Sequence, residues 1–176
     1  MSRGRDFEFV RAGAADASEL QRLWVMTFRD AYADVHTPEN LNRYCEENYT
    51  LTKAQAVLSD PATECVIARQ GGEPAGLMVL THHECPARAL DGGSSELKQV
   101  YVRAAHYGAG LGKALYDDAL ARIRASGRQW IWLIVSDLNT RAQAFYRKNA
   151  LEPVGAGPVL HVGSDRLPST VMAGRV

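Results

Sequence analysis

Residues 96–125, ELKQVYVRAAHYGAGLGKALYDDALARIRA, constrain this chain more than any other segment. The run ELKQVYV (96–102) has the composition of a strand and leads into Gly108, Gly110 and Gly112. A helix is predicted to begin at Gly112, with Leu111, Leu115, Ala119 and Ile123 as its i, i+4 stripe and Ser126-Gly127 as its stop. A strand that turns through glycine into a helix leaves unbonded N–H groups at the positive end of the helix dipole, and these favour an anion. Glycine also lets the backbone approach a ligand closely. The strand needs sheet partners and the helix needs a sheet face to cover, so the fold class must mix both elements.

The rest of the chain supplies the partners. Residues 7–11 (FEFVR) alternate like a short strand. Asp16 and Glu19 read as a capping-box start for a helix carrying Leu20, Leu23, Trp24, Phe28 and Ala31. Thr37-Pro38-Glu39 starts a second helix, with Leu41, Tyr44, Cys45 and Tyr49 on its apolar side. A third, short helix is expected over Lys53–Leu58, capped by Thr52. CVIAR (65–69) and AGLMVL (75–80), joined through Gly71-Gly72, read as a hairpin, and 84–95 as a loop. WIWLIV (130–135) is continuously apolar, as in a strand buried on both faces. Asn139–Asn149 reads as a helix, followed by strands at 158–162 and 169–173. The expected order is β-α-α-α-β-β-β-α-β-α-β-β, one α/β (α+β) domain over 1–176.

Composition excludes several classes. The 176 residues are 46% hydrophobic and 23% charged, an ordinary globular balance. Twenty basic residues match twenty acidic ones, which argues against a nucleic-acid protein with a basic surface. The zero is uneven: residues 1–97 hold 15 acids and 9 bases, and residues 98–176 hold 5 acids and 11 bases. Such a division signals two different ligands, or only helices carrying charge for solubility. No stretch approaches the ~18 apolar residues of a membrane span. MSRGRDFEFV has no apolar signal core, so a cytoplasmic location is the expectation. Cys45, Cys65 and Cys85 are odd in number and form no CxxC pair, which argues against disulfides and a zinc ribbon. No metal is expected; the adjacent His82 and His83 would point to opposite strand faces.

Two familiar phosphate loops fail against the glycine segment. In G-x-x-x-x-G-K-[ST], Gly112-Lys113 fits, but Tyr107 stands at the first glycine and Ala114 at the metal-binding hydroxyl. In G-x-G-x-x-G/A, the last position is Lys113 or Leu115. What stays open is the pyrophosphate of coenzyme A, or a glycine turn with no ligand.

Tyr107-Gly-Ala-Gly-Leu-Gly112 resembles the [RQ]-x-x-G-x-[GA] motif of the GNAT acyl-CoA N-acetyltransferases, with Tyr107 where Arg or Gln is usual. Asn139, Ala142, Phe145 and Tyr146 match that family's N-x-x-A-x-x-F-Y-x-x-x-G-F, which here ends in Ala150-Leu151. Thr27-Phe28-Arg29-Asp30 and Thr37-Pro38-Glu39-Asn40-Leu41 extend the likeness toward bacterial PaiA-type spermidine/spermine acetyltransferases. The resemblance implies a mixed, mostly antiparallel sheet splayed around a coenzyme A site, with flanking helices. It implies acetyl transfer from acetyl-CoA to a small-molecule primary amine, a polyamine in the first instance; another amine, or coenzyme binding without catalysis, are the alternatives. A homodimer is compatible with it.

By the same resemblance, backbone groups of Val100, Tyr101 and Val102 would pair with the pantetheine arm. Tyr107, Gly108, Ala109, Gly110, Leu111, Gly112 and Lys113 would cradle the pyrophosphate, and Asn139, Ala142, Tyr146 and Lys148 would complete the coenzyme site. Tyr146 would protonate the leaving thiolate. Glu96 would act as base, with His82, His83 and His106 behind it. Asp30, Tyr32, Glu39 and Glu96 would bind the acceptor, helped by Asp34, Glu46 and Glu47, since a like-signed cleft concentrates a polycation.

Overall fold

The computed structural model describes residues 7–176. The expected lack of an apolar leader core falls partly on residues 1–6, outside the described residues. A seven-stranded sheet runs in the order β1-β2-β3-β4-β5-β9-β6. Its strands are β1 (Glu8–Arg11), β2 (Thr63–Gln70), β3 (Glu73–Thr81), β4 (Ser94–Val102), β5 (Trp130–Ser136), β6 (Glu152–Ala156) and β9 (Ser169–Arg175). Strands β7 (Leu160–Val162) and β8 (Asp165–Leu167) form a separate hairpin. Helices α1 (Ala17–Tyr32), α2 (Pro38–Asn48) and α3 (Leu51–Ser59) precede the hairpin of β2 and β3. Helix α4 (Leu111–Ala125) follows β4, and α5 (Thr140–Lys148) follows β5. All neighbouring strands in the large sheet are antiparallel except β4 and β5.

The central strands are buried on both faces, and their alternation separates two cores. Val66, Met78, Leu80, Ile131 and Leu133 pack with Leu115, Tyr116 and Ile123 of α4. Cys65, Ile67, Leu77 and Val79 pack with Leu20, Leu23, Trp24 and Phe28 of α1 and with Leu41, Tyr49 and Ala54. A smaller third cluster joins Trp132 of β5 to Val171 and Ala173 of β9. Each fully buried large apolar side chain contributes about 1.5–3 kcal/mol relative to exposure.

Several boundaries differ from the sequence reading. Thr50, not Thr52, caps α3; its hydroxyl accepts from the Lys53 amide at 3.2 Å, so the helix starts earlier. Asp16 turns back to accept from the Gly13 amide (2.8 Å) while Glu19 pairs with Arg69, so no capping box joins them. Strand β4 starts at Ser94 inside the expected loop, because the buried Ser94 hydroxyl donates to Glu84 at 2.7 Å and makes a polar residue compatible with the interior. Strands β6 and β8 were not anticipated. The first holds Pro153 and Gly155 beside a register shift on an exposed edge, and the second is three residues long.

Strand β4 is the pivot. It pairs with β5 only at Ser94↔Trp130, Ser95↔Ile131 and Glu96↔Trp132. Beyond that a bulge places one extra residue, Lys98, between Leu97↔Leu80 and Gln99↔Val79. Bulges bend a strand and increase its twist. On its other side β4 stays tight against β3, where a Cβ at Gly76 would lie 2.7 Å from the Tyr101 carbonyl oxygen. Gly76→Ala is therefore expected to cost about 1–3 kcal/mol by overpacking. Calorimetry should record a fall of roughly 3–10 °C in thermal midpoint.

Candidate active site

The divergence of β4 and β5 leaves backbone unpaired. The Arg103 amide donates to the Ala75 carbonyl (2.9 Å), and Val102 lies opposite Gly76. In an antiparallel ladder such bonding groups recur at every second residue, so Tyr101 and Gln99 also face β3. The amides and carbonyls of Val100 and Val102 then face the gap, while their side chains pack against the α4 core. Burial of these side chains leaves the backbone groups free.

At the end of β4 the chain reaches the glycine loop. Gly108 (φ 74°) and Gly110 (φ 82°) lie in the left-handed region, and Gly110 is the N-cap of α4. The Ala109 amide is spent on the His106 carbonyl and that of Ala114 on Gly110. The amides of Leu111, Gly112 and Lys113 precede the first bonded helical donor, Ala114, and no side chain caps the helix. A Cβ at Gly108 or Gly110 would meet nothing within 4 Å, so the loop surface is open.

Tyr107, at the Arg/Gln position of the motif, is 41% exposed and lies beneath the Arg141 guanidinium, 5.6 Å from its ring centroid. Burial and Asp30 raise its phenol, while Arg141 and Arg103 oppose that rise. Two guanidinium groups thus flank the tyrosine where the motif normally carries one polar side chain. Lys113 pairs with Asp117 at 2.5 Å, and Lys148 is exposed on α5. Asn139 caps α5 by accepting from the Ala142 amide at 3.0 Å, which commits its carbonyl oxygen and leaves its NH2.

Tyr146 packs against the α4 core with Tyr116 and Phe145. Burial pushes its phenol well up, reinforced by Tyr116 and Tyr32. Glu96 occupies the last paired position before the strands part and accepts from the Thr81 hydroxyl at 3.2 Å. Tyr101 packs on the opposite core with Tyr44 and Tyr49, and burial drives its phenol far up.

A cavity of about 150 Å³ lies where the end of α1, the end of β5, the start of α5 and β8 meet. Its polar lining comes from Tyr32, His36, Ser136, Asn139, Thr140 and Arg141. Burial raises the Tyr32 phenol; Asn139 lowers it and Tyr107 raises it further. Of the expected acceptor residues, Tyr32 alone lines this cavity.

Three sets of expected residues lie outside the lining of this cavity. Asp30 does not stand free for a cation: it accepts from Arg103 Nε at 2.6 Å and from the Ala104 amide at 3.0 Å, tying α1 to the glycine loop. Glu39 is exposed in the first turn of α2 and outside the cavity, as are Asp34, Glu46 and Glu47. The histidines held in reserve are placed elsewhere: His82 bridges Ser95 and Glu64, His83 is exposed, and His106 meets Phe7 edge-on. His36, which the sequence reading passed over, lines the cavity instead. Its partner Asp165 is 129 residues away, so no local motif marks it.

Among the described residues no group of three or more His, Cys, Asp or Glu is placed to hold a metal ion. Nor is any helix there long and apolar enough to cross a membrane. The three cysteines are buried, and burial together with Asp16 raises the Cys65 thiol to about 12, far from a reactive thiolate.

The family model described as Acetyltransferase (GNAT) family matches residues 19–150. The chain belongs to the GNAT acetyltransferase family. An uncharacterised N-acetyltransferase of Mycobacterium bovis is 28% identical over 137 residues, 78% of this chain and 83% of its own. A second, from the pepI 3′ region of Lactobacillus delbrueckii subsp. lactis, is 24% identical over 144 residues, 82% and 83% of the two chains. Among solved structures, the PaiA N-acetyltransferase of Thermoplasma acidophilum in complex with coenzyme A superposes with a TM-score of 0.76 over 97% of this chain and 99% of that one. At 16% identity this likeness speaks for the fold: a mixed, mostly antiparallel sheet with flanking helices.

Enzymes of this family take the acetyl group from acetyl-CoA. The unpaired edge of β4, the free amides of the α4 start and the guanidinium groups around Tyr107 fit a long, polar, diphosphate-bearing donor. Gly110→Ala should leave the fold intact, because space is open at that position. The left-handed backbone there costs a non-glycine residue about 1–2 kcal/mol. The KM for acetyl-CoA should rise roughly fivefold or more, measured by steady-state thiol release.

Proposed function

We propose that the chain acetylates a compact primary amine at the cavity between α1, α5 and β8, with acetyl-CoA as donor. The observation that carries this reading is the open edge of β4, which runs directly into the unbonded amides at the start of α4. The thioester supplies the acetyl group. The amine nitrogen forms the new N–C bond, the C–S bond breaks, and sulfur leaves as the thiol after gaining a proton.

The backbone of Val100 and Val102, with Tyr101 between them, aligns the donor's arm. The free amides of Leu111, Gly112 and Lys113 bind its diphosphate through helix-terminal charge, with Gly108, Ala109 and Gly110 lining the loop before them. Arg141 over Tyr107 adds the cation that the loop lacks, and Ala142 and Lys148 on α5 complete this side. Tyr146 donates to the departing sulfur, because its buried phenol stays protonated and only that form can give a proton. Glu96, which accepts from Thr81 where β4 and β5 part, stands outside the cavity and is the alternative base.

The PaiA-type resemblance implies spermidine or spermine as acceptor. The charge of the cavity supports a smaller and less cationic amine: Arg141 and His36 are among its lining residues and no carboxylate is. A cytoplasmic enzyme, alone or as a homodimer, is compatible with this reading.

An amine panel with acetyl-CoA separates the two acceptor classes. Turnover should be higher with small monoamines or amino acids than with spermidine, and kcat/KM highest for spermine would restore the polyamine assignment. Tyr146→Phe should lower kcat roughly 100-fold and change the KM for acetyl-CoA by less than about threefold, since a proton donor acts in the transition state. Equal losses in both would place Tyr146 in donor binding.

A further inference from the structure

We infer that His36, held by Asp165, is the base that takes the proton from the acceptor amine; this rests on the acetyl-transfer reading above. The His36 side chain is 2% exposed and lies 2.7 Å through Nδ1 from an Asp165 carboxylate oxygen. Its Nε2 is buried and has no hydrogen-bond partner among the described residues. His36 also lines the cavity, beside Tyr32, whose ring centroid lies 5.9 Å from that of the imidazole. A buried ring nitrogen without a partner, in a residue that lines a polar cavity, is costly for a fold unless something uses it.

The chemistry of the pair assigns its direction. Hydrogen bonds from His36 and from Asn40 (3.1 Å) hold the Asp165 carboxyl below the usual range, so it stays ionised and only accepts. The neutral ring then carries its proton on Nδ1, and Nε2 presents a bare lone pair. An amine arrives largely as ammonium, since alkylamines titrate near 10.4 like lysine. It must lose a proton before its nitrogen can attack.

Three titratable groups line the cavity: Tyr32 from α1, His36 from the α1–α2 connection and Arg141 from α5. Asp165 reaches His36 from β8. Arginine does not give up its proton, and burial keeps the Tyr32 phenol protonated. His36 is the remaining acceptor of a proton. The ammonium proton passes to Nε2, the freed nitrogen pair forms the N–C bond, and the departing sulfur takes a proton from Tyr146. The nitrogen of the new amide gives its second proton to the phenolate, and the imidazolium returns its proton to solvent, so one net proton is released.

His36→Asn tests this, because the Asn amide can still donate to Asp165 while Nε2 is lost. Using the best amine of the panel, kcat/KM for the amine should fall roughly 100-fold or more. The acidic limb of its pH profile should disappear, and coenzyme A affinity should stay within about threefold. Unchanged turnover with the same limb would overturn the proposal. Loss of the limb in Glu96→Gln instead would return the base to Glu96. If His36→Asn fails to fold, Asp165→Asn takes its place: kcat should fall about tenfold or more at constant KM for acetyl-CoA, and an unaltered kcat would overturn the dyad. Wild-type protein that acetylates no amine in the panel would remove the acetyl-transfer reading and the base with it, an outcome distinct from a silent variant of an active enzyme.

Discussion

Three residue pairs between β4 and β5 hold the two halves of the sheet together, and everything functional follows from how few they are. Strand β5 stays paired with β9 along its whole length, from Trp130↔Arg175 to Ser136↔Ser169. Strand β4 is drawn the other way. Trp24 of α1 donates to Gln99 at 2.6 Å, and Asp30 of the same helix grips Arg103 and the Ala104 amide. With the Lys98 bulge bending the strand just before these anchors, parallel pairing stops at Glu96. Backbone groups buried without partners are costly. The open edge at Val100 and Val102 is tolerated because it faces a cleft that water or a ligand can enter.

That constraint explains what could be read from the residues. The loop was legible because its glycines serve local needs: a left-handed cap at Gly110 and a surface without side chains. The double burial of β5 was legible because a continuous apolar run has few other uses. The acceptor side was not legible, since no local pattern encodes it. His36 and Asp165 meet only because the β7–β8 hairpin packs against α2 through Asn40, which bonds both Ser164 and Asp165. Asp30 misled for a related reason. A carboxylate on a helix face reads as free until the fold brings Arg103, 73 residues later, against it.

The uneven charge of the two halves has the same origin. Asp30–Arg103, Glu64–Arg122 and Glu84–Arg128 each join an acid of the first half to a base of the second. Three acids of the first half thus serve to clasp the two halves. None of these pairs is deeply buried, so each contributes little stability by itself. Their value is positional: the first sets the glycine loop against α1, and the second ties β2 to α4. Of the remaining cations, Arg141 covers Tyr107 at the loop, and Lys148 is exposed on α5.

A split sheet also solves a problem of acid–base chemistry. A proton donor and a proton acceptor that touch each other simply exchange the proton and are lost to catalysis. In the proposed reaction they come from different parts of the fold. Tyr146 is packed with the α4 core, where desolvation favours the neutral phenol. His36 stands at the end of α1 against an aspartate that hydrogen bonds keep ionised. Environments that push titratable groups apart are how one site holds an acid and a base at the same pH. Tyr32 lines the cavity beside His36 and also raises the Tyr146 phenol, so it is near both groups. Its own phenol is kept protonated by burial, so it does not compete with His36 for a proton.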